Sequence, residues 1–401
     1  MDKPSSIVKE NMNPLKTKRI ESLDILKGLV IIFMALDHTR DYFHIDSFVF
    51  DPADPEKSNL ILFFTRWITH YCAPAFSFLA GISAFLVGRR KSKIELTSFL
   101  LKRGIWLIFI EFFVVYFGWS FNIHFNHFGL LVIWSLGISM IFLAAIIHLS
   151  MKNILILSIA IIFGHNLLDN IHFDQNMLWS ILHERGKFTF FDSIKIRVTY
   201  PIIPWIGVMS LGYYFGIFYD KDVTPEYRQK LFTKIGLACI AGFLVVRGFN
   251  LYGNSNPWRA FDSFSQTFIS FMDPSKYPPS LAYLLMTLGP SLIFLGNSEN
   301  VKGRLVDFFA TFGKVPFFFY IIHIYVIHLL AAILAELTGF GFDAMVLDGF
   351  ISTNQQLIGF GVNLGWVYVI WLIILFTLYP MCKKFSNYKL NHKEKWWLSY
   401  F

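Results

Sequence analysis

Long apolar stretches recur along this chain, near 22–42, 71–88, 104–121, 129–148, 153–168, 199–219, 233–250, 280–297, 314–336 and 361–382. A helix of about 20 apolar residues crosses the roughly 30 Å hydrocarbon core of a bilayer. Lipid offers no partner to a backbone amide, so such stretches must bond within themselves as helices. The sequence therefore predicts an all-α, polytopic membrane protein of about ten transmembrane helices. Charged residues make up only 15% of the chain, against about 25% in soluble domains, which agrees with that class. Residues 59–70 read as an interfacial helix or an extension of the second span. Residues 306–312 read as a short segment before the ninth.

Charge gives the spans a direction. Most Lys and Arg residues fall in segments 1–20, 89–103, 149–152, 220–234, 298–304 and 383–401, which an even number of spans would place on one side. That is the positive-inside pattern, and it predicts an inner (plasma) membrane protein with both termini cytoplasmic. The net charge of +8 is spent in these clusters and does not indicate nucleic acid. The first 20 residues lack a short apolar run and cleavage site, so the first span is expected to serve as the anchor. The expected organisation is a cytoplasmic tail over 1–20, a transmembrane domain over 21–382 and a second cytoplasmic tail over 383–401. Cys72, Cys239 and Cys382 lie in or at the ends of apolar runs without metal-ligand spacing, and read as packing residues.

The first span, SLDILKGLVIIFMALDHTRDYFH, carries an ionisable stripe. Lys27 and His38 are three helical turns apart on one face, about 16 Å along the axis. Asp24 and Asp41 extend the stripe at its two ends. Ionisable groups at that depth are costly and are functional candidates. The histidines reinforce the polarity of the stripe: only His148 and His392 fall on the lysine-rich side, and most of the rest fall at outer helix ends or in outer loops. Titratable chemistry is therefore expected toward the outer face.

Each candidate has a plainer alternative. His38 suits a general base, with Asp37 or Asp41 to orient it and His44 as an alternate base; the alternative is a solvated helix end with Arg40 among its charges. Lys27 suits the phosphates of a nucleotide-like donor, or it simply pairs with Asp24. Arg66 and His70 stand one turn apart at the entry to the second span. Arg40, Arg66, His70, His165, Arg247 and His323 are the substrate-side candidates; His165 could instead be an interfacial cap, and His323 an interhelical hydrogen-bond partner. No compact metal-binding motif is present, and no metal is expected.

On these residues the chain resembles the bacterial relatives of the heparan-alpha-glucosaminide N-acetyltransferase catalytic domain, within the transmembrane acyltransferase superfamily. The resemblance runs from SLDILKGLVIIFMALDHTRDYF and THYCAPAFSFLAGISAFL through YPIIPWIGVMSLGY and KYPPSLAYLLMTLGP to GKVPFFFYIIHIYVIH, roughly residues 20–380. It implies acetyl transfer across a membrane, from cytoplasmic acetyl-CoA to a hydroxyl or amine of an extracytoplasmic sugar or glycan. Polysaccharide O-acyltransferases of the superfamily carry Arg, ten residues, then His in the first span; here Lys27 stands in the place of the Arg, before His38. In the heparan enzyme the catalytic His lies just past the first span, which His44 approximates, and the ninth-span His matches His323. The base would deprotonate the acceptor or itself accept the acetyl group. Expected partners are acetyl-CoA, a carbohydrate acceptor and membrane lipids, with homodimerisation left open. A proton-coupled transporter or lipid-handling protein with a His/Asp relay is the competing reading.

Overall fold

A computed structural model describes residues 21–191 and 193–400. The expected tail over 1–20 lies outside the described residues. The chain is mostly helical, and each of the ten apolar runs lies largely in helix. The first is α1 (Glu21–Phe43). Next come α2 (Leu60–Trp67) and α3 (Cys72–Gly88), joined by a 3-10 turn into one rod that extends the second apolar run toward its N-terminus. Then α4 (Lys93–Ile110) continues through a π-helical turn at Glu111–Val115 into α5 (Tyr116–Ser120). The middle of the chain holds α6 (Val132–Ile146), α7 (Met151–Gly164), α8 (Met177–Leu182) and α9 (Ile203–Phe215). The last part holds α10 (Pro225–Phe249), α11 (Phe264–Met272), α12 (Leu281–Asn297), α13 (Arg304–Lys314), α14 (Pro316–Leu337) and α15 (Leu364–Asn391).

Among the described residues five helices are long and apolar enough to cross a membrane: Leu60–Gly88, Met151–Leu168, Pro225–Phe249, Pro316–Leu337 and Leu364–Asn391. Val132–Ile146, Ile203–Tyr219 and Leu281–Asn297 are apolar but shorter. The first helix, α1, has the length but carries Asp24, Lys27, Asp37, Arg40 and Asp41. Those charges are tolerable because α1 is the central helix, packed on α3, α12, α13, α14 and α15 and buried over most of its length. Side chains of its neighbours bond to its backbone carbonyls: Cys72 Sγ donates to Val30 O, and Trp371 Nε1 to Ile32 O.

Glycine sets the closest helix pairs. A Cβ on Gly28 would sit 1.8 Å from the Phe309 carbonyl oxygen, and one on Gly313 would sit 1.8 Å from that of Asp24, so α1 and α13 meet backbone to backbone. Gly81 with Gly212 does the same for α3 and α9, Gly104 with Gly137 for α4 and α6, and Gly236 with Gly289 for α10 and α12. In an apolar solvent no hydrophobic force drives helices together, and close backbone approach supplies the dispersion contact instead.

A small sheet interrupts the all-helical pattern expected from the sequence. Strands β1 (His127–Leu130), β2 (Gly186–Phe190) and β3 (Ile194–Val198) lie in the order β1-β3-β2. β1 runs parallel to β3, and β2 pairs antiparallel with it. Ile196 and Val198 alternate with Lys195 and Arg197, so one face packs over Leu130, Trp134 and Ile206 and the other is basic. Arg197, on β3, lines one of the cavities described below.

Candidate active site at the junction of two cavities

The polar stripe of α1 lines two cavities that meet. One, of about 210 Å³, runs along Lys27, Ile31 and Met34 and is otherwise walled mainly by apolar side chains of α3, α4, α6 and α14, with Ser83 and Arg103 as polar members. The other, of about 550 Å³, begins at Met34, continues along Asp37, His38 and Asp41, and opens between the loops that carry Asp51, Lys276 and Gln355. They extend toward opposite ends of the bundle: α3 gives Cys72, Ala73 and Phe76 to the wide cavity, and Phe76 through Val87 to the narrow one. Met34, Phe76, Val132 and Tyr320 line both. At the far end of the narrow cavity Lys27 Nζ donates to Ser83 Oγ at 3.2 Å. Asp24 is buried one turn away, where α1 packs on α13, and lines neither cavity.

His38 stands just past the junction. Its Nδ1 lies 2.8 Å from Nε2 of His323 on α14, and Nδ1 of His323 lies 2.9 Å from the carbonyl oxygen of Phe319. A carbonyl only accepts, so His323 Nδ1 carries the proton and its Nε2 is the acceptor. His38 must then donate from Nδ1, and its Nε2 is left with the lone pair. The chain of bonds thus fixes the tautomer that a general base requires. Trp119 packs edge-on against the His38 ring with centroids 4.7 Å apart, and Tyr320 does so at 6.5 Å.

The carboxylates expected to orient His38 have other partners. Asp37 Oδ2 accepts from Arg66 and, at 3.0 Å, from Thr69 Oγ1, and its Oδ1 lies 2.8 Å from Arg40 Nη2. The same Arg40 nitrogen donates to Asp41. Asp41 is on the neighbouring face as its spacing predicts, yet the guanidinium beside it outcompetes an imidazole for a carboxylate. Two cations and two anions balance here, so the cluster forms a neutral wall of the wide cavity.

Beyond that wall the cavity is basic and aromatic. Arg185, Arg197 and Lys276 line it with Tyr200, Tyr277 and Phe350. Arg197 lies over the Phe350 ring at 4.3 Å, and Arg185 over Tyr277 at 5.5 Å. Burial opposes ionisation of the Tyr277 phenol, but the Lys276 and Arg66 cations outweigh it and hold the group below its ordinary value. None of Arg185, Arg197 or Trp119 stood out in the sequence, because sequence spacing says nothing about which other segments fold over α1.

The remaining sequence candidates lie elsewhere. His44 closes α1: its Nδ1 accepts from Asp46 N, and its backbone bridges to Val362. His70 is buried behind Arg66, with Nε2 3.8 Å from Asp273. His165 ties the end of α7 to Pro279 O at 2.8 Å. Arg247 donates to three backbone oxygens, of Asn256, Ser270 and Phe271, and shapes the 251–273 connection. None of the four lines either cavity. Among the described residues no cluster of three or more His, Cys, Asp or Glu side chains is arranged to hold a metal ion.

One buried carboxyl was not singled out at all. Glu111 opens the π-helical turn, and its Oε2 accepts from Trp134 N at 2.8 Å. It thereby caps α6, which starts after Leu131 and has no side-chain cap of its own. A lone acidic residue inside the 104–121 apolar run was its visible signal.

No curated protein matches the chain. The family described as "Heparan-alpha-glucosaminide N-acetyltransferase, catalytic" matches residues 19–253, which carry Lys27, His38 and the Asp37–Arg66 pair but end before His323. That match covers more than half of the sequence: the chain belongs to the heparan-alpha-glucosaminide N-acetyltransferase catalytic family, a family of membrane acetyltransferases.

Proposed function

We propose that this protein moves an acetyl group from cytoplasmic acetyl-CoA to a hydroxyl or amine of an extracytoplasmic sugar or glycan. One observation carries the reading: His38 stands where a narrow cavity that extends from Lys27 meets a wide one. The phosphates of the donor bind near Lys27 and Arg103, and the pantetheine arm runs along Ile31 and Met34. The acceptor enters the wide cavity, where aromatic rings suit the faces of a saccharide and the three outer cations suit an anionic substituent. His38 Nε2 takes the acceptor proton as the acceptor oxygen or nitrogen attacks the thioester carbon. The carbon–sulfur bond then breaks, and the thiolate recovers the proton from the His38 imidazolium as free CoA. Both substrates reach His38 at once from opposite sides, which favours direct transfer over an acetyl-enzyme.

The basic clusters at one end of the helices support a cytoplasmic position for that end, with both termini there and with α1, the α2–α3 rod, α4–α5, α6, α7, α9, α10, α12, α14 and α15 as ten crossings. The donor reading is tested on the full-length protein in detergent. CoA raises its melting temperature, and Lys27→Met removes most of that shift. With glucosamine as the probe acceptor, acetyl-CoA releases thiol. Absence of any CoA effect at millimolar concentration defeats the proposal. A C-terminal reporter active only outside the cytoplasm defeats the orientation.

A further inference from the structure

Among the described residues the two cavities share four side chains, and these come from four different helices: Met34 of α1, Phe76 of α3, Val132 at the start of α6, and Tyr320 of α14. They form a ring between Lys27 and His38. Met34 lies one turn before His38 on the same face of α1, and a helical side chain leans toward the N-terminus, so Met34 covers the approach to the imidazole from the Lys27 side. Tyr320 packs against the His38 ring itself. Three of the four members are apolar, so the ring meets a passing group mainly by shape.

The geometry points to this ring as the filter that sets the size of the acyl group, with Met34 and Val132 as its specificity-determining residues. The inference rests on the donor reading above. A thioester carbon is trigonal. When that carbon is within reach of an acceptor activated by His38 Nε2, the sulfur runs back through the ring toward Lys27. The carbonyl oxygen and the acyl carbon then diverge sideways, against the ring's outer rim, and the nucleophile arrives from the wide cavity. The ring wall therefore meets the acyl tail directly. A methyl fits beside Met34 and Val132, whereas each added methylene must displace one of them. In a pocket of this kind one methylene is worth about 10- to 200-fold in kcat/KM.

The test compares acetyl-, propionyl- and butyryl-CoA as donors to glucosamine, using the full-length protein and thiol release. The expected wild-type preference for acetyl- over butyryl-CoA is at least about tenfold in kcat/KM. Met34→Ala and Val132→Ala each narrow that ratio by about tenfold. Ile31→Ala, which changes the narrow cavity one turn below the ring, keeps the wild-type ratio. Met34→Val replaces Met34→Ala if the larger truncation lowers the yield of folded protein. Ring variants that turn over acetyl-CoA with the wild-type ratio overturn the filter, as does a wild-type protein that uses all three donors equally. A wild-type protein that is not stabilised by CoA and releases no thiol from any ester overturns the donor reading, and the filter with it.

Discussion

The imidazoles of His38 and His323 lie edge to edge, their planes only 12° apart, and share one hydrogen bond of 2.8 Å. The two residues are 285 positions apart in sequence, on helices α1 and α14, which pack against each other. The Phe319 carbonyl at the end of this chain leaves only one arrangement of protons, so His323 acts on His38 as a clamp on its tautomer.

Removal of the base and removal of the clamp therefore have different costs. His38→Ala is expected to lower acetyl transfer by about 10²–10⁴-fold while the protein still folds and binds CoA. His323→Ala frees the His38 ring to rotate and exchange tautomers, for a loss of about 10–100-fold. Thiol release from acetyl-CoA, read beside the melting temperature, separates the two. Equal activity in His38→Ala and wild type would remove His38 from the mechanism.

The Asp37–Arg66 pair should behave as a buried ion pair whose halves depend on each other. Its side chains are 8% and 18% exposed. Arg66→Met leaves the Asp37 charge with less compensation and is expected to cost about 3–5 kcal/mol of stability. The double change with Asp37→Asn should recover part of that loss, because no uncompensated charge then remains. Denaturant unfolding of the three proteins in detergent gives the coupling directly, and strictly additive losses would contradict it.

Glu111 supplies an acceptor to α6 rather than a charge to the site. Glu111→Gln retains an oxygen for the Trp134 amide and should be close to neutral. Glu111→Ala leaves that amide without its partner and is expected to cost about 1–3 kcal/mol. The readout is again the unfolding midpoint. A glutamine variant as unstable as the alanine variant would show that the carboxylate charge is what matters.

Acid should weaken the end of the bundle that carries His44 and His127. Burial holds the His44 imidazole below its ordinary value despite the pull of Asp46, and burial together with Arg197 and Lys195 does the same at His127. Both groups are thus harder to protonate in the folded protein than in the unfolded chain. The unfolded state binds more protons below the ordinary imidazole value of about 6.5, so stability rises with pH through that window and falls as pH drops through the folded values. The melting temperature is expected to fall as pH is lowered from about 7 to 5, less steeply in a His44→Gln/His127→Gln double variant. An unchanged slope in that variant would assign the acid sensitivity to other groups.

What could be read from the sequence was what repeats. The apolar runs gave the helices, and the 3.6-residue period placed Lys27 and His38 on one face, where the cavities indeed run. What could not be read was choice of partner. Asp41 has the spacing to orient His38, but Arg40 is adjacent to it and binds carboxylate more strongly than imidazole does. His44 stood as the alternate base to His38, and only the fold shows it closing a helix away from the cavities. The alternation of Ile194, Ile196 and Val198 with Lys195 and Arg197 was a legible strand signal in a connection otherwise read as loop. Its pairing with His127–Leu130 depends on segments more than sixty residues apart being brought together by the helices.

The glycine contacts bear on how the site can move. Four of the helices that wall the narrow cavity, α1, α3, α4 and α6, are each locked to another helix by a glycine set against backbone. To slide one of these staves would drive a carbonyl oxygen into a neighbouring main chain, so the barrel they form does not breathe along its length. Whatever enters must be accommodated by side-chain rotation at the junction and by the loops around Asp51 and Gln355. The rigid part of the protein is therefore the passage, and the compliant part is its rim.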